Sequence, residues 1–244
     1  MKAIILAGES QRDIKDFGQG KALIPFNGMP LIQYSIDALT GLESIDYILV
    51  IGNKDALTPL IGTKVDKIID GENDLLGNLM KSISYFQNEE KIIISTCDMP
   101  LITTEAVRWF VAKTLSLKID FCYPIIEKVV YENKYPDAKR TYASLKDGDF
   151  TGGNLVMVNP NKIKAIEKEI RLLIEHRKNP IKMTKVLGPT IVFKMLSKQL
   201  TVKHLEAYIK ERFNIDGKAL VTPYPEVGTD VDHIEDIAIL EKYI

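Results

Sequence analysis

Three short stretches of this chain carry side chains suited to chemistry on phosphates. The first is Leu6-Ala7-Gly8-Glu9-Ser10-Gln11-Arg12, followed at some distance by Gly18-Gln19-Gly20-Lys21. Glycines let backbone N–H groups approach phosphate oxygens, and Arg12 and Lys21 would add positive charge against a triphosphate. It is not a Walker A loop: Ala22 follows Gly20-Lys21 where Ser or Thr is needed, and Lys15 stands where the earlier glycine belongs. Taken alone, a solvated polar connection explains the stretch as well.

The second stretch is Ser95-Thr96-Cys97-Asp98-Met99-Pro100, in which a run of isoleucines ends on an acid. A carboxylate at a strand end suits magnesium, which takes one or two carboxylates and completes its shell with substrate phosphates. The third is Gly228-Thr229-Asp230-Val231-Asp232, two acids flanking a valine. The plainer readings are that Asp98 starts a turn or helix and that Asp232 caps the last helix. If Asp98 and Asp232 meet, they make two ligands of a magnesium–triphosphate site.

These residues need a scaffold, and the hydrophobic pattern specifies one. Lys2 to Ala7, Tyr47 to Gly52, Lys67 to Asp70 and Lys91 to Thr96 read as strands. Between them lie helical patterns: one after Pro30 with Leu31, Tyr34, Ile36 and Leu39, and one from Asn73 with Leu76, Leu79, Met80 and Ile83. Another helix starts at Thr103 or Thr104. Strands alternating with helices indicate βαβ units and a parallel sheet, whose ligands bind beyond the carboxyl ends of the strands. Ile119 to Ile126, Arg140 to Leu145, Leu155 to Val158 and Lys218 to Val221 are further strands, with a turn at 146–149. Residues 160–215 read as a helical insertion, in which Ile163, Ile166, Ile170 and Leu173 recur at helical spacing. The whole chain, 1–244, reads as one domain.

Composition narrows the function. Thirty-two basic and 33 acidic side chains leave a net charge of −1, with 45% hydrophobic residues. This excludes a disordered chain and argues against a general grip on nucleic acid. Cys97 and Cys122 are isolated, His176, His204 and His233 lack metal-ligand spacing, and no run is long enough to span a membrane. A cytoplasmic location without stable membrane insertion is the expectation. From Lys162 to Lys185 there are eight basic side chains against three acidic ones. Such a stretch is ordinarily a solvated face, and otherwise a surface for an anionic acceptor, membrane or partner. Tyr85, Tyr123, Tyr131 and Tyr142 are either packing or the lining of a pocket.

Taken together, Lys2 to Gly8, Arg12, Lys21-Ala22-Leu23, Pro30-Leu31-Ile32, Cys97-Asp98-Met99-Pro100 and Val231-Asp232-His233-Ile234-Glu235-Asp236 resemble the nucleotidyltransferase superfamily. The most similar branch is that of the molybdenum-cofactor guanylyltransferase-like proteins. The resemblance implies a Rossmann-like three-layer α/β sandwich with a mainly parallel mixed sheet, the nucleotide-diphospho-sugar transferase or glycosyltransferase-A-like fold. It implies transfer of NMP from an NTP to a small phosphorylated acceptor, with release of pyrophosphate. Lys21 and Arg12 would be catalytic cations, and Asp98 and Asp232 would hold Mg2+. Leu6, Ala7, Gly8, Lys21, Asn78 and Asp98 would bind the nucleotide. Gly153 and Asn154, within a segment similar to the acceptor pocket of sugar nucleotidyltransferases, would bind the acceptor. A homodimer is a further expectation. The chain departs from the family pattern where Glu9 replaces the second glycine of Leu-Ala-Gly-Gly and where Arg12 to Lys21 is lengthened. Two alternatives stand beside this reading. Asp230-Val231-Asp232 has the Asp–x–Asp form of metal-dependent glycosyltransferases, and the altered loop suits a decayed, nucleotide-binding relative.

Overall fold

The computed structural model describes residues 1–176, 187–188, 190–194 and 197–244. Its first half alternates as the pattern requires: β1 (Lys2–Ala7), α1 (Gln11–Phe17), β2 (Pro25–Phe26), β3 (Met29–Pro30), α2 (Leu31–Thr40), β4 (Tyr47–Gly52), α3 (Lys54–Ile61), β5 (Lys67–Asp70), α4 (Leu75–Ile83), β6 (Ile92–Thr96) and α5 (Thr104–Leu115). The second half runs β7 (Phe121–Glu127), α6 (Lys128–Lys134), β8 (Ala143–Leu145), β9 (Gly148–Gly152), β10 (Leu155–Val158), α7 (Pro160–Ala165), α8 (Glu167–His176), α9 (Val202–Phe213), β11 (Gly217–Val221) and α10 (Ile234–Leu240).

One mixed sheet has the order β5-β4-β1-β6-β10-β7-β9-β8, with β11 added to β7. β5, β4, β1 and β6 are parallel, and β11 is parallel to β7; β10 runs antiparallel to both β6 and β7. Strand residues alternate between two apolar layers. Ile5, Val50 and Ile93 meet Ile32 and Ile36 of α2 and Phe110 of α5. Ile4, Leu49, Ile51 and Ile94 meet Ile83 of α4 and Ile163 of α7. Both faces of the central strands are covered, which is why they read as unbroken runs of Ile, Leu and Val. Among the described residues of 160–215, Ile163, Ile166, Ile170, Ile209 and Phe213 pack into that second layer, while residues 177–185 of the basic stretch 162–185 lie outside the described residues.

Several details differ from the sequence reading. The polar loop after β1 contains α1, because Ser10 and Asp13 form a reciprocal capping box and Gly18 closes the helix in the left-handed region at φ 73°. α3 and α6 also went unread, being short and weakly periodic. α4 is capped by Asp74, whose carboxylate accepts from Gly77 N at 2.7 Å, and not by Asn73. An ionised acceptor suits the positive end of a helix better than a neutral amide. The turn at 146–149 is tighter than expected, so that Gly148 already begins β9. The last helix is capped at His233, with Asp236 reaching back, so Asp232 is not its cap.

Candidate functional site

β1 and β6 are neighbours in the sheet and end side by side, Leu6 pairing with Thr96. The chain leaving each end supplies one part of the site. After β1 it passes through α1 and then a single 3-10 turn at Lys21–Leu23, held by the bonds from Leu23 N to Gly20 O and from Ile24 N to Lys21 O. The tight hairpin of β2 and β3 anchors that turn. Asn27 and Gly28 take positive φ values of 45° and 81°, and fully buried Phe26 packs edge-on against Tyr34. After β6 the chain delivers Asp98. The Asp98 carbonyl accepts from Val231 N at 3.0 Å, so the late loop 228–232 is laid directly against the end of β6.

These attachments bring three of the sequence-derived candidates together. Lys21 Nζ donates to Asp98 Oδ2 at 3.1 Å and to Asp232 Oδ1 at 3.0 Å. Asp98 and Lys21 are largely enclosed, with side chains 13% and 15% exposed, whereas Asp232 is 56% exposed. Burial works to lower the Lys21 pKa, but the charges of Asp98 and Asp232 and their hydrogen bonds outweigh it and hold the ammonium above the usual lysine range. Burial likewise works to raise Asp232, and Lys21 overrides it, keeping this carboxyl below the usual range.

Directly behind this cluster lies a second ion pair. Arg140 donates to Asp230, to Gly152 O at 3.2 Å and to Thr151 Oγ1 at 3.4 Å. It therefore ties the 228–232 loop to β9. Both side chains are shielded, at 15% and 12% exposure. Burial pushes the Asp230 carboxyl up to about 6, Asp98 and Asp232 reinforcing the effect against the pull of Arg140. Asp230 figured in the sequence reading only as half of an Asp–x–Asp motif. The structure commits it to Arg140 and turns Asp232 towards Lys21, with Val231 fully buried between them. Arg140 was missed, since no local pattern links it to an acid 90 residues away.

Arg12 stands apart from Lys21. It lies on the exposed first turn of α1, paired with Asp16 at 3.3 Å, with Nη2 3.3 Å from His233 Nδ1. That places it at the rim of the site, beside the residue that follows Asp232. The expected nucleotide residues Leu6, Ala7 and Gly8 form the end of β1. A side chain at Gly8 would collide with the Asn78 amide, and Asn78 Oδ1 accepts from Glu72 N at 2.6 Å. Asn78 is buried and spends its oxygen joining the β5 exit to α4. Gly8, Glu9 and Gln11 line a cavity of about 400 Å3 together with Asn53, Asp70, Glu72 and Asn73. The cavity lacks any basic side chain, so it suits the uncharged, hydrogen-bonding part of a nucleotide. Asp70 and Glu9 are further residues that the motif reading did not place there.

Gly153 and Asn154 sit at a bulge beside the same cluster. β9 and β10 run along one edge of β7, but Met157 pairs with Cys122 and Gly152 with Ile125, a slip of two residues. The slip is fixed by bonds from Gly153 N to Pro124 O and from Asn154 N to Val227 O. It leaves Asn154 Nδ2 buried with no hydrogen-bond partner among the described residues. Asp98 Oδ1 and Thr96 Oγ1 are likewise buried and unpartnered. Of the four tyrosines, Tyr131 is core, Tyr123 stacks on Phe121, and Tyr85 and Tyr142 lie under Lys67 and Lys128.

The residues fit a magnesium ion of the kind that relies on substrate phosphates. Asp98 keeps one oxygen unused, Asp232 is open to solvent, and both already share one cation, the Lys21 ammonium. Among the described residues no cluster of three or more His, Cys, Asp or Glu could hold a metal by itself. Two carboxylates are the complement expected where phosphate oxygens and water supply the rest. Among the described residues, too, no helix is long and apolar enough to cross a membrane.

Known proteins share this architecture. A family model described as MobA-like NTP transferase domain matches residues 3–175. A probable molybdenum cofactor guanylyltransferase of Thermococcus sibiricus is 30% identical over 129 residues, covering 51% of this chain and 61% of that relative. A hypothetical transferase from Thermus thermophilus superposes with a TM-score of 0.84 and 32% identity, over 97% of this chain and 98% of its own. A 4-diphosphocytidyl-2C-methyl-D-erythritol synthase from Anaerococcus prevotii, at 15% identity, covers 99% of this chain and 94% of its own with a TM-score of 0.62, a likeness of fold.

Proposed function

Because this chain belongs to the MobA-like NTP transferase domain family, we propose that it transfers a nucleoside monophosphate from an NTP to a small phosphorylated acceptor. The observation that carries this reading is the meeting of Lys21 with Asp98 and Asp232 at 3.1 and 3.0 Å beside a cavity without cations. A triphosphate would lie with its nucleoside in the cavity and its phosphates toward Lys21. An oxygen of the acceptor phosphate attacks the α-phosphorus, the bond to the bridging α,β-oxygen breaks, and pyrophosphate leaves with that electron pair. A phosphate oxygen is already ionised at neutral pH, so the attack requires no general base.

The protein's part is therefore positioning and charge. Lys21 moves its ammonium from the carboxylates to the α-phosphate as charge accumulates there. Arg12, at the rim, meets the departing pyrophosphate. Asn154 offers its unpartnered Nδ2–H to the acceptor. Asp98 and Asp232 would hold magnesium, which when bound neutralises phosphate charge and fixes the donor oxygens. Relatives named as molybdenum cofactor guanylyltransferases make GTP the first donor to try and a molybdenum-cofactor phosphate the first acceptor. Sugar and polyol phosphates complete the panel. The test is pyrophosphate release from each of the four NTPs across that panel, with and without Mg2+. Full turnover by Asp98→Ala would remove the metal assignment, and release of a nucleoside diphosphate from a nucleotide-sugar would replace the whole reading with glycosyl transfer. The burial of Asp230 against Arg140 counts against that second chemistry, since it leaves the Asp–x–Asp pair only one solvent-open acid.

A further inference from the structure

Glu9 has no ion pair and no hydrogen bond from its side chain among the described residues, yet it is partly buried. Its position is fixed from below. A Cβ on Gly20 would lie 2.5 Å from Glu9 Oε1 and 2.6 Å from its Cγ, so the side chain is folded over the bare backbone of Gly20. Gly20 immediately precedes Lys21, the phosphate-facing cation, and Glu9 is also a wall of the cavity assigned to the nucleoside. The carboxylate thus stands where nucleoside gives way to phosphate. The group of a nucleotide that occupies that junction is the ribose.

A carboxylate in this place repels a triphosphate unless something offers it hydrogen. It has two oxygens and accepts only, and vicinal ribose hydroxyls present two O–H donors at matching spacing. Neither Gln11 nor Asn53 meets the carboxylate as a donor. We propose that Glu9 is a specificity residue that accepts from the ribose 2′- and 3′-hydroxyls, making the site selective for ribonucleoside over deoxyribonucleoside triphosphates. This rests on the nucleotidyltransferase reading and names its donor class. It also gives the departure from the family glycine a purpose: lost backbone freedom is exchanged for a sugar contact. A hydrogen bond to a charged acceptor sets the size of the effect, about 10-fold to 100-fold in affinity.

The experiment is calorimetric titration of the intact chain with GTP, ATP, CTP and UTP and with their 2′-deoxy and 3′-deoxy counterparts, with Mg2+ and no acceptor. The native protein should bind the ribonucleotide about 10-fold to 100-fold more tightly than either deoxy form. Glu9→Gly should bring the three affinities within about threefold of one another. Gly20→Ala tests the geometry separately. Its φ of −66° tolerates a side chain, but the added Cβ must displace Glu9, so discrimination should fall although the carboxylate is still present. Unchanged discrimination in Glu9→Gly with nucleotide binding intact would overturn this proposal alone. Failure of the native protein to bind any of the nucleotides would overturn the transferase reading and this proposal with it.

Discussion

The two ion clusters of the site each set a cation against aspartate and differ in how far they are closed. Lys21, Asp98 and Asp232 form an open bracket: one acid is more than half exposed, and one oxygen of the other is unpartnered. Arg140 and Asp230 form a closed one, both shielded, with Arg140 also bonded to β9. Only the fully buried Val231 separates them along the chain. An open bracket can release its lysine to a substrate at little cost, because solvent and phosphate take its place. A closed one cannot, because each buried charge depends on the other. The alternation along residues 230–232 thus turns two neighbouring aspartates towards different cations.

Breaking the closed bracket should have the largest effect. Arg140→Met leaves Asp230 as a buried, uncompensated carboxylate and should lower stability by about 3–5 kcal/mol. The double change Arg140→Met with Asp230→Leu should recover most of that, since two apolar groups do not need each other. Chemical denaturation of both variants decides it, and equal losses in the two would show that the pair is not a unit. Breaking the open bracket should separate activity from stability. Asp232→Asn, at the exposed acid, should reduce pyrophosphate release by about 100-fold to 1,000-fold while the unfolding free energy moves by less than about 1 kcal/mol. A comparable loss of stability would make the two brackets alike and remove the distinction. Arg12→Ala, at the exposed rim, should cost only about 3-fold to 10-fold in turnover, and a larger effect would move Arg12 inward from the rim.

A third cluster lies away from the site. Asp46 meets the Met1 ammonium at 3.1 Å and Lys2 at 3.0 Å, and hydrogen bonds from these partners bring its carboxyl down to about 2. Its folded pKa lies below the unfolded one, so its contribution is present above about pH 4 and is lost as the pH falls through about 2. Comparing acid unfolding of the native protein with that of Asp46→Asn should show a small difference near neutral pH that vanishes at the acid end.

Much of this was legible before the structure. The isoleucine and valine runs fix β1, β4 and β6, and the position of Asp98 at a strand end follows from where the run stops. The convergence of Lys21 with Asp232, 211 residues apart, followed only from resemblance, because no local rule brings such residues together. Arg140 and the bulge at Gly153–Asn154 were illegible for the same reason: both are defined by partners on other strands. α1 was written in the sequence, in the Ser10–Asp13 box and Gly18, but the glycines drew attention to a loop instead. Where bonding is local, residue types announce it; where it crosses the sheet, they do not.

The separation of Lys21 from Asp232 has a consequence for how the protein is made. Translation delivers the lysine early and the second carboxylate 211 residues later, after every strand of the sheet has been polymerised. A nascent chain can assemble its whole β-framework around Lys21 and Asp98 and still hold half a site. Ribosome-bound chains ending at Val221 should therefore fail to retain a labelled ribonucleotide that chains ending past Asp236 retain, both carrying a C-terminal linker long enough to clear the exit tunnel, and equal retention would show that the late loop is dispensable. Under the proposed reading, synthesis order alone would withhold the triphosphate site until the late loop has been made.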